Sequence, residues 1–118
     1  MAAERVHRVV SAVDCGTTVN PDGVRAQLKA ASNCALTPVL TGEITIKEGA
    51  VQQNNFHDYQ VLRISQAPDI DVHIVQSSED PASGVGESGF PPLAPAVENA
   101  VFAASGKRVR RLPISRIS

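Results

Sequence analysis

Residues 83–92 read Ser-Gly-Val-Gly-Glu-Ser-Gly-Phe-Pro-Pro, three glycines around a single carboxylate, Glu87. No lysine or arginine lies between Arg63 and Lys107 to pair with it. Glycine lets a backbone approach a ligand closely and leaves its amides free to donate, and the helix start that follows adds partial positive charge. A lone carboxylate in such a loop, covered by a larger protein, is placed for general-base work. The plainer reading is an acid that keeps a surface loop soluble, and the spacing by itself does not exclude it. Gly84 and Gly86 are the backbone positions that the first reading uses.

The other reactive side chains form no comparable group. His7, His57 and His73 sit far apart on separate predicted elements and make no metal-ligand spacing. His57 and Asp58 are adjacent, and neighbours on a strand point to opposite faces, which speaks against a catalytic dyad. Cys15 and Cys34 lie outside Cys-x-x-Cys spacing and read as two free buried thiols. Phosphate-loop and dinucleotide fingerprints are absent.

Composition narrows the classes further. The 118 residues carry eleven basic and twelve acidic side chains, a formal charge of −1, so no broad cationic field exists for nucleic acid. The basic cluster Lys107-Arg-Val-Arg-Arg111 reads as a solvated helix end rather than a binding patch. Aromatics make up 3%, so the core must be aliphatic. No apolar run is long enough to span a bilayer, and the first ten residues do not read as a secretory signal, which leaves localisation unknown.

The elements that must position Glu87 can be read from pattern. Residues 5–14, rich in valine, predict a strand buried on both faces. Residues 19–36 predict a helix, with Asn20 as N-cap, Pro21 at the first helical position, Asp22 at the positive end, and Val24, Leu28, Ala31 and Ala35 as one apolar stripe. Pro38 should end or kink it. A hairpin over 42–53 turns at Lys-Glu-Gly, a strand is expected over 59–65, and Ile70, Val72 and Ile74 alternate with Asp71 and His73 in another over 69–76. Residues 93–105 form the second helix, stopped at Gly106, and 109–114 a short closing strand. The expected architecture is α+β, two helices packed on a mixed sheet in one domain over 1–118.

Three blocks carry a resemblance: "VHRVVSAVDCGTTVNPDGVRAQ", "GEITIKEGAVQQNNFHDYQVLR" and the run from "PDIDVHIVQ" through "SGVGESGFPPLAPAVENAVF" to "RRLPI". Together they resemble the C-terminal end of the large subunit of molybdenum hydroxylases, the xanthine oxidase family, on its isoquinoline 1-oxidoreductase β-subunit and aldehyde-oxidising side. The resemblance implies molybdopterin as the parent cofactor and hydroxylation of N-heteroaromatics or aldehydes with water as oxygen source. It implies that Glu87 is the base beside the molybdenum, with Gln27, Gly84 and Gly86 on the cofactor side. It further implies the rest of a large subunit and an iron–sulfur subunit or domain as partners. On this view the chain is a terminal fragment, expected by itself to hold no cofactor and to form homo-oligomers through exposed apolar surface. A non-catalytic remnant or assembly domain is the alternative. One block departs from the family pattern, in which an acid and two glycines follow the glutamine. Lys29, Ala30 and Ala31 stand there instead.

Overall fold

The computed structural model describes residues 5–76 and 79–116. In chain order it contains β1 (Arg8–Val13), α1 (Pro21–Leu40), β2 (Ile46–Lys47), β3 (Ala50–Val51), β4 (Asp69–Ile74) and α2 (Leu93–Ser105), with single 3-10 turns at Ile64–Gln66 and Ile114–Arg116. The architecture is α+β. Both strand directions are present, divided between two separate two-stranded sheets: β1 and β4 pair in parallel, β2 and β3 antiparallel.

Helix α1 starts where its residues require. The Asn20 side chain accepts a hydrogen bond from the Gly23 N–H at 3.0 Å, and Pro21 occupies the first turn, where its missing N–H costs nothing. The helix does not stop at Pro38 but runs on to Leu40. Pro38 lies in the last turn, so few intrahelical bonds are at stake. Val39 beyond it is 2% exposed, and burying a valine is worth about 1.5–3 kcal/mol, comparable to the proline penalty of about 3. Helix α2 ends at Gly106, whose φ of 73° is the left-handed cap and whose N–H donates to the Phe102 carbonyl at 2.7 Å. The basic segment beyond it folds back, with the Arg108 guanidinium 3.7 Å from the centre of the Phe102 ring.

The core has two parts. Ala35, Leu36 and Val39 of α1 meet Leu93 and Val97 of α2, closed by Val109 and Ile114 from the C-terminal segment. A smaller cluster, Cys15, Val24 and Leu28, is flanked by Val13, Val72, Ile74 and Val85. Val109 and Ile114 are therefore core residues, but the segment joining them is not the expected closing strand. Strand β1 is half-buried, and on one face only: Val9, Ser11 and Val13 turn inward while Val10 is exposed.

Residues 59–65 form no strand either. Leu62 donates its N–H to Thr37 Oγ1 at 3.0 Å, and Thr41 Oγ1 donates to the Gln60 carbonyl at 3.1 Å. Side chains at the end of α1 thus take the backbone bonds that a partner strand would have taken. Cys15 is buried as expected, whereas Cys34 is exposed. Among the described residues no helix is long and apolar enough to cross a membrane.

Candidate active site

The Glu87 loop is held at both ends. At its entry, Gly16 sits with a φ of +68° in the turn after β1. There the Thr17 N–H and Oγ1 both donate to the Asp80 carbonyl, at 2.8 and 2.9 Å, while the Ser83 N–H and Oγ donate to the Cys15 carbonyl, at 2.9 and 3.2 Å. These four bonds clamp residues 80–83 onto the turn after β1. Further along, Val85 packs into the Cys15–Val24–Leu28 cluster. Gly89 then presses against α1: a β-carbon there would lie 2.8 Å from Leu28 Cδ1 and 3.2 Å from the Ala31 methyl. The Phe90 N–H donates to the Glu87 carbonyl at 3.0 Å, closing the turn that leads into α2.

Between these anchors the loop faces outward. Glu87 is exposed, and among the described residues no hydrogen bond or ion pair engages its carboxylate. β-Carbons at Gly84 and Gly86 would meet nothing within 4 Å, and neither residue has a positive φ. Their absent side chains leave bare, accessible backbone on the N-terminal side of the carboxylate. Gln27 is exposed on α1, next to the Leu28 that receives Gly89. The loop thus offers open backbone and a free carboxylate, and the neighbouring helix carries an exposed amide. Within the departing block, Lys29 and Ala30 are exposed and Ala31 is buried under Gly89.

Two residues essential to this arrangement, Gly16 and Gly89, did not stand out in the sequence. Gly16 lies in a Cys-Gly-Thr-Thr turn with no local signal of its contacts, and Gly89 is the same residue type as the two open glycines before Glu87. Their partners are distant in sequence, so only the fold shows why each must be small.

The remaining reactive side chains stay apart. Among the described residues no group of three or more His, Cys, Asp or Glu could hold a metal ion. His57 and Asp58 lie in a turn and not on a strand, so the two-face argument does not apply to them. Their side chains approach to 3.6 Å in an exposed site remote from α1 and the Glu87 loop in sequence. Asp58 serves the turn itself, accepting from the N–H groups of Asn54 and Asn55 at 2.9–3.1 Å.

Those bonds, first Asn55 and then Asn54, hold the Asp58 carboxyl below its ordinary range, with His57 adding a smaller push in the same direction. A depressed carboxylate pKa means that the stabilisation is present above the unfolded value and is lost as pH falls through the folded one. The Asn54 and Asn55 amide resonances should therefore stay constant from neutral pH through the ordinary carboxylate range and move only below it. Asp58→Ala should abolish that transition, and a transition at the ordinary value would refute the capping role.

Comparison with known proteins adds three findings. Residues 2–68 match the molybdopterin cofactor-binding domain family. The chain is 38% identical over 109 residues to the isoquinoline 1-oxidoreductase subunit beta of Brevundimonas diminuta, and 39% identical over 102 residues to a membrane-bound aldehyde dehydrogenase [pyrroloquinoline-quinone] of Gluconacetobacter polyoxogenes. These alignments cover 92% and 86% of the chain but only 14% and 13% of the relatives, so the chain spans about one-seventh of their length. The crystal structure of quinoline 2-oxidoreductase from Pseudomonas putida 86 superposes with a TM-score of 0.83 at 27% identity, covering 96% of this chain and 16% of that one.

Proposed function

Because the chain belongs to the molybdopterin cofactor-binding domain family of the molybdenum hydroxylases, we propose that it forms the base-bearing wall of such an enzyme's active site. In this reading Glu87 is the catalytic base, and Gln27 with the bare backbone at Gly84 and Gly86 faces the cofactor. The observation that carries the reading is the free Glu87 carboxylate directly after two unobstructed glycines, Gly84 and Gly86, on a loop fixed at both ends.

When bound, the molybdenum centre supplies the two-electron redox chemistry. The chain's own contribution is positional and protic. The clamp from residues 16–17 to 80–83 and the Gly89 contact with α1 hold the carboxylate in place. Glu87 then accepts one proton from the water-derived oxygen nucleophile, and the adjoining bare backbone leaves space for a large group to approach. The substrate class, by similarity to the relatives, is an electron-poor N-heteroaromatic or an aldehyde. The proposed partners are the remainder of a large subunit and an iron–sulfur subunit or domain.

Exposed apolar side chains favour a second reading for the chain by itself. Ile46 and Phe56 are each 71% exposed and Ile64 is 96% exposed, a surface that a larger polypeptide or another copy would cover. A non-catalytic, self-associating domain fits that observation. Molybdenum analysis separates the readings. The 118-residue chain is expected to carry no bound molybdenum, whereas a full-length relative with the same loop carries it in stoichiometric amount. Stoichiometric metal on the short chain would overturn the view that further segments are needed. A metal-free full-length relative would overturn the cofactor reading itself.

A further inference from the structure

We propose that the parallel sheet lacks a third strand, and that the groove beside β1 receives an extended segment from the remainder of a large subunit. The proposal rests on the reading that this chain works inside a longer polypeptide.

Two adjoining cavities run along β1. One, of about 550 Å³, lies between residues 5–10 and the face of α2 that carries Ala96, Val97 and Ala100. The other, of about 400 Å³, continues along residues 9–14, with Leu28, Gly89 and Leu93 among its other walls. Every residue of β1 lines one or both, and no residue of β4 lines either. The groove therefore lies along the edge of β1 that faces away from β4.

That edge has unused backbone groups. The Asp69 N–H donates to the His7 carbonyl at 3.0 Å and the Val75 N–H to the Val13 carbonyl at 2.8 Å. In a parallel ladder this phase turns the odd-numbered residues of β1 toward β4 and directs the N–H and C=O of Arg8, Val10 and Ala12 to the opposite side. Two-stranded parallel sheets are not stable units, since parallel strands normally lie within larger, covered sheets. The helices repeat the point. Helix α1 packs against β4, while α2 packs beside α1 with the groove above it. A strand next to β1 would bond to the three outward residues and lay alternate side chains on the alanines of α2.

Steric room decides the occupant. Antiparallel pairing of β1 with a second copy would give four strands spanning about 19 Å over four helices that need about 40 Å. The second copy's α2 would have no place. A lone extended segment meets no such conflict. The relatives supply ample chain for it, because the matched region is only 14% of the isoquinoline 1-oxidoreductase subunit beta. The occupant expected is an extended stretch with apolar residues at alternate positions.

The test probes the chain with overlapping peptides of roughly 12 residues, twice the length of β1, drawn from the unmatched part of that relative and followed by fluorescence anisotropy. One short run of overlapping peptides should bind. Ala100→Glu, which sets a charge on the exposed groove floor, should weaken binding about tenfold or more. Val10→Pro, which removes one outward N–H, should also weaken it. Thermal melts of both variants confirm that they fold. The proposal is overturned if no peptide binds, or if binding is indifferent to both substitutions. It is also overturned if the chain forms dimers that Ala100→Glu dissolves, which would make a second copy the occupant. Peptide binding needs no cofactor, so its outcome is readable whether or not the Glu87 assignment holds.

Discussion

Glu87→Gln, introduced into a full-length enzyme carrying this loop, is expected to lower turnover about 10²–10⁴-fold, the usual worth of a general base. Glutamine keeps the size and polarity of the side chain and removes only the ability to accept the proton. In the 118-residue chain the same change should alter stability by no more than about 0.5 kcal/mol, because the side chain is exposed and no ion pair or hydrogen bond is lost among the described residues. Steady-state turnover of the enzyme and thermal melting of the chain measure the two arms. Unchanged turnover, or a strongly destabilised chain, would end the base assignment.

The second large effect belongs to Gly16. An alanine there would be strained by the φ of +68°, and its β-carbon would lie 2.5 Å from the Pro81 carbonyl oxygen and 2.7 Å from that of Asp80. The strain alone is worth about 1–3 kcal/mol. Both contacts are backbone, so relief requires residues 80–83 to move off the turn after β1, breaking the bonds from Thr17 and Ser83. Gly16→Ala should therefore lower the melting temperature by about 4 °C or more. In a full-length enzyme it should also lower turnover with Glu87 intact. Gly84→Ala and Gly86→Ala, which meet open space, should leave melting nearly unchanged. If Gly16→Ala melted like the parent, the clamp would not be what positions the loop.

These contrasts mark what could be read from the residues. The start of α1 was legible because Asn20 and Pro21 act locally on the first turn. Its end was not, because Val39 is held by contacts with other elements that no local pattern encodes. The strand expected over 59–65 has the right side-chain types, but a strand needs a partner, and Thr37 and Thr41 supplied hydroxyls instead. Val109 and Ile114 looked like strand residues because burial selects the same side chains whatever the backbone does. At the site, the glycines single out a loop that the fold holds at both ends. Which glycine must be glycine was hidden, since the carbonyls facing Gly16 lie more than sixty positions away.

The parallel pairing also bears on how the chain folds. Arg8 of β1 meets Asp71 of β4 across 63 positions of sequence, whereas the β2–β3 hairpin and both helices are local. Closing so long a loop costs entropy before any contact of the ladder repays it, so local elements should form first and the strand pair late. Until it closes, β1 and β4 each present two unpaired edges rather than one. The period of greatest exposure to intermolecular strand pairing thus falls before the native state is reached. Refolding yield should fall as protein concentration rises, even under conditions in which the folded chain stays soluble.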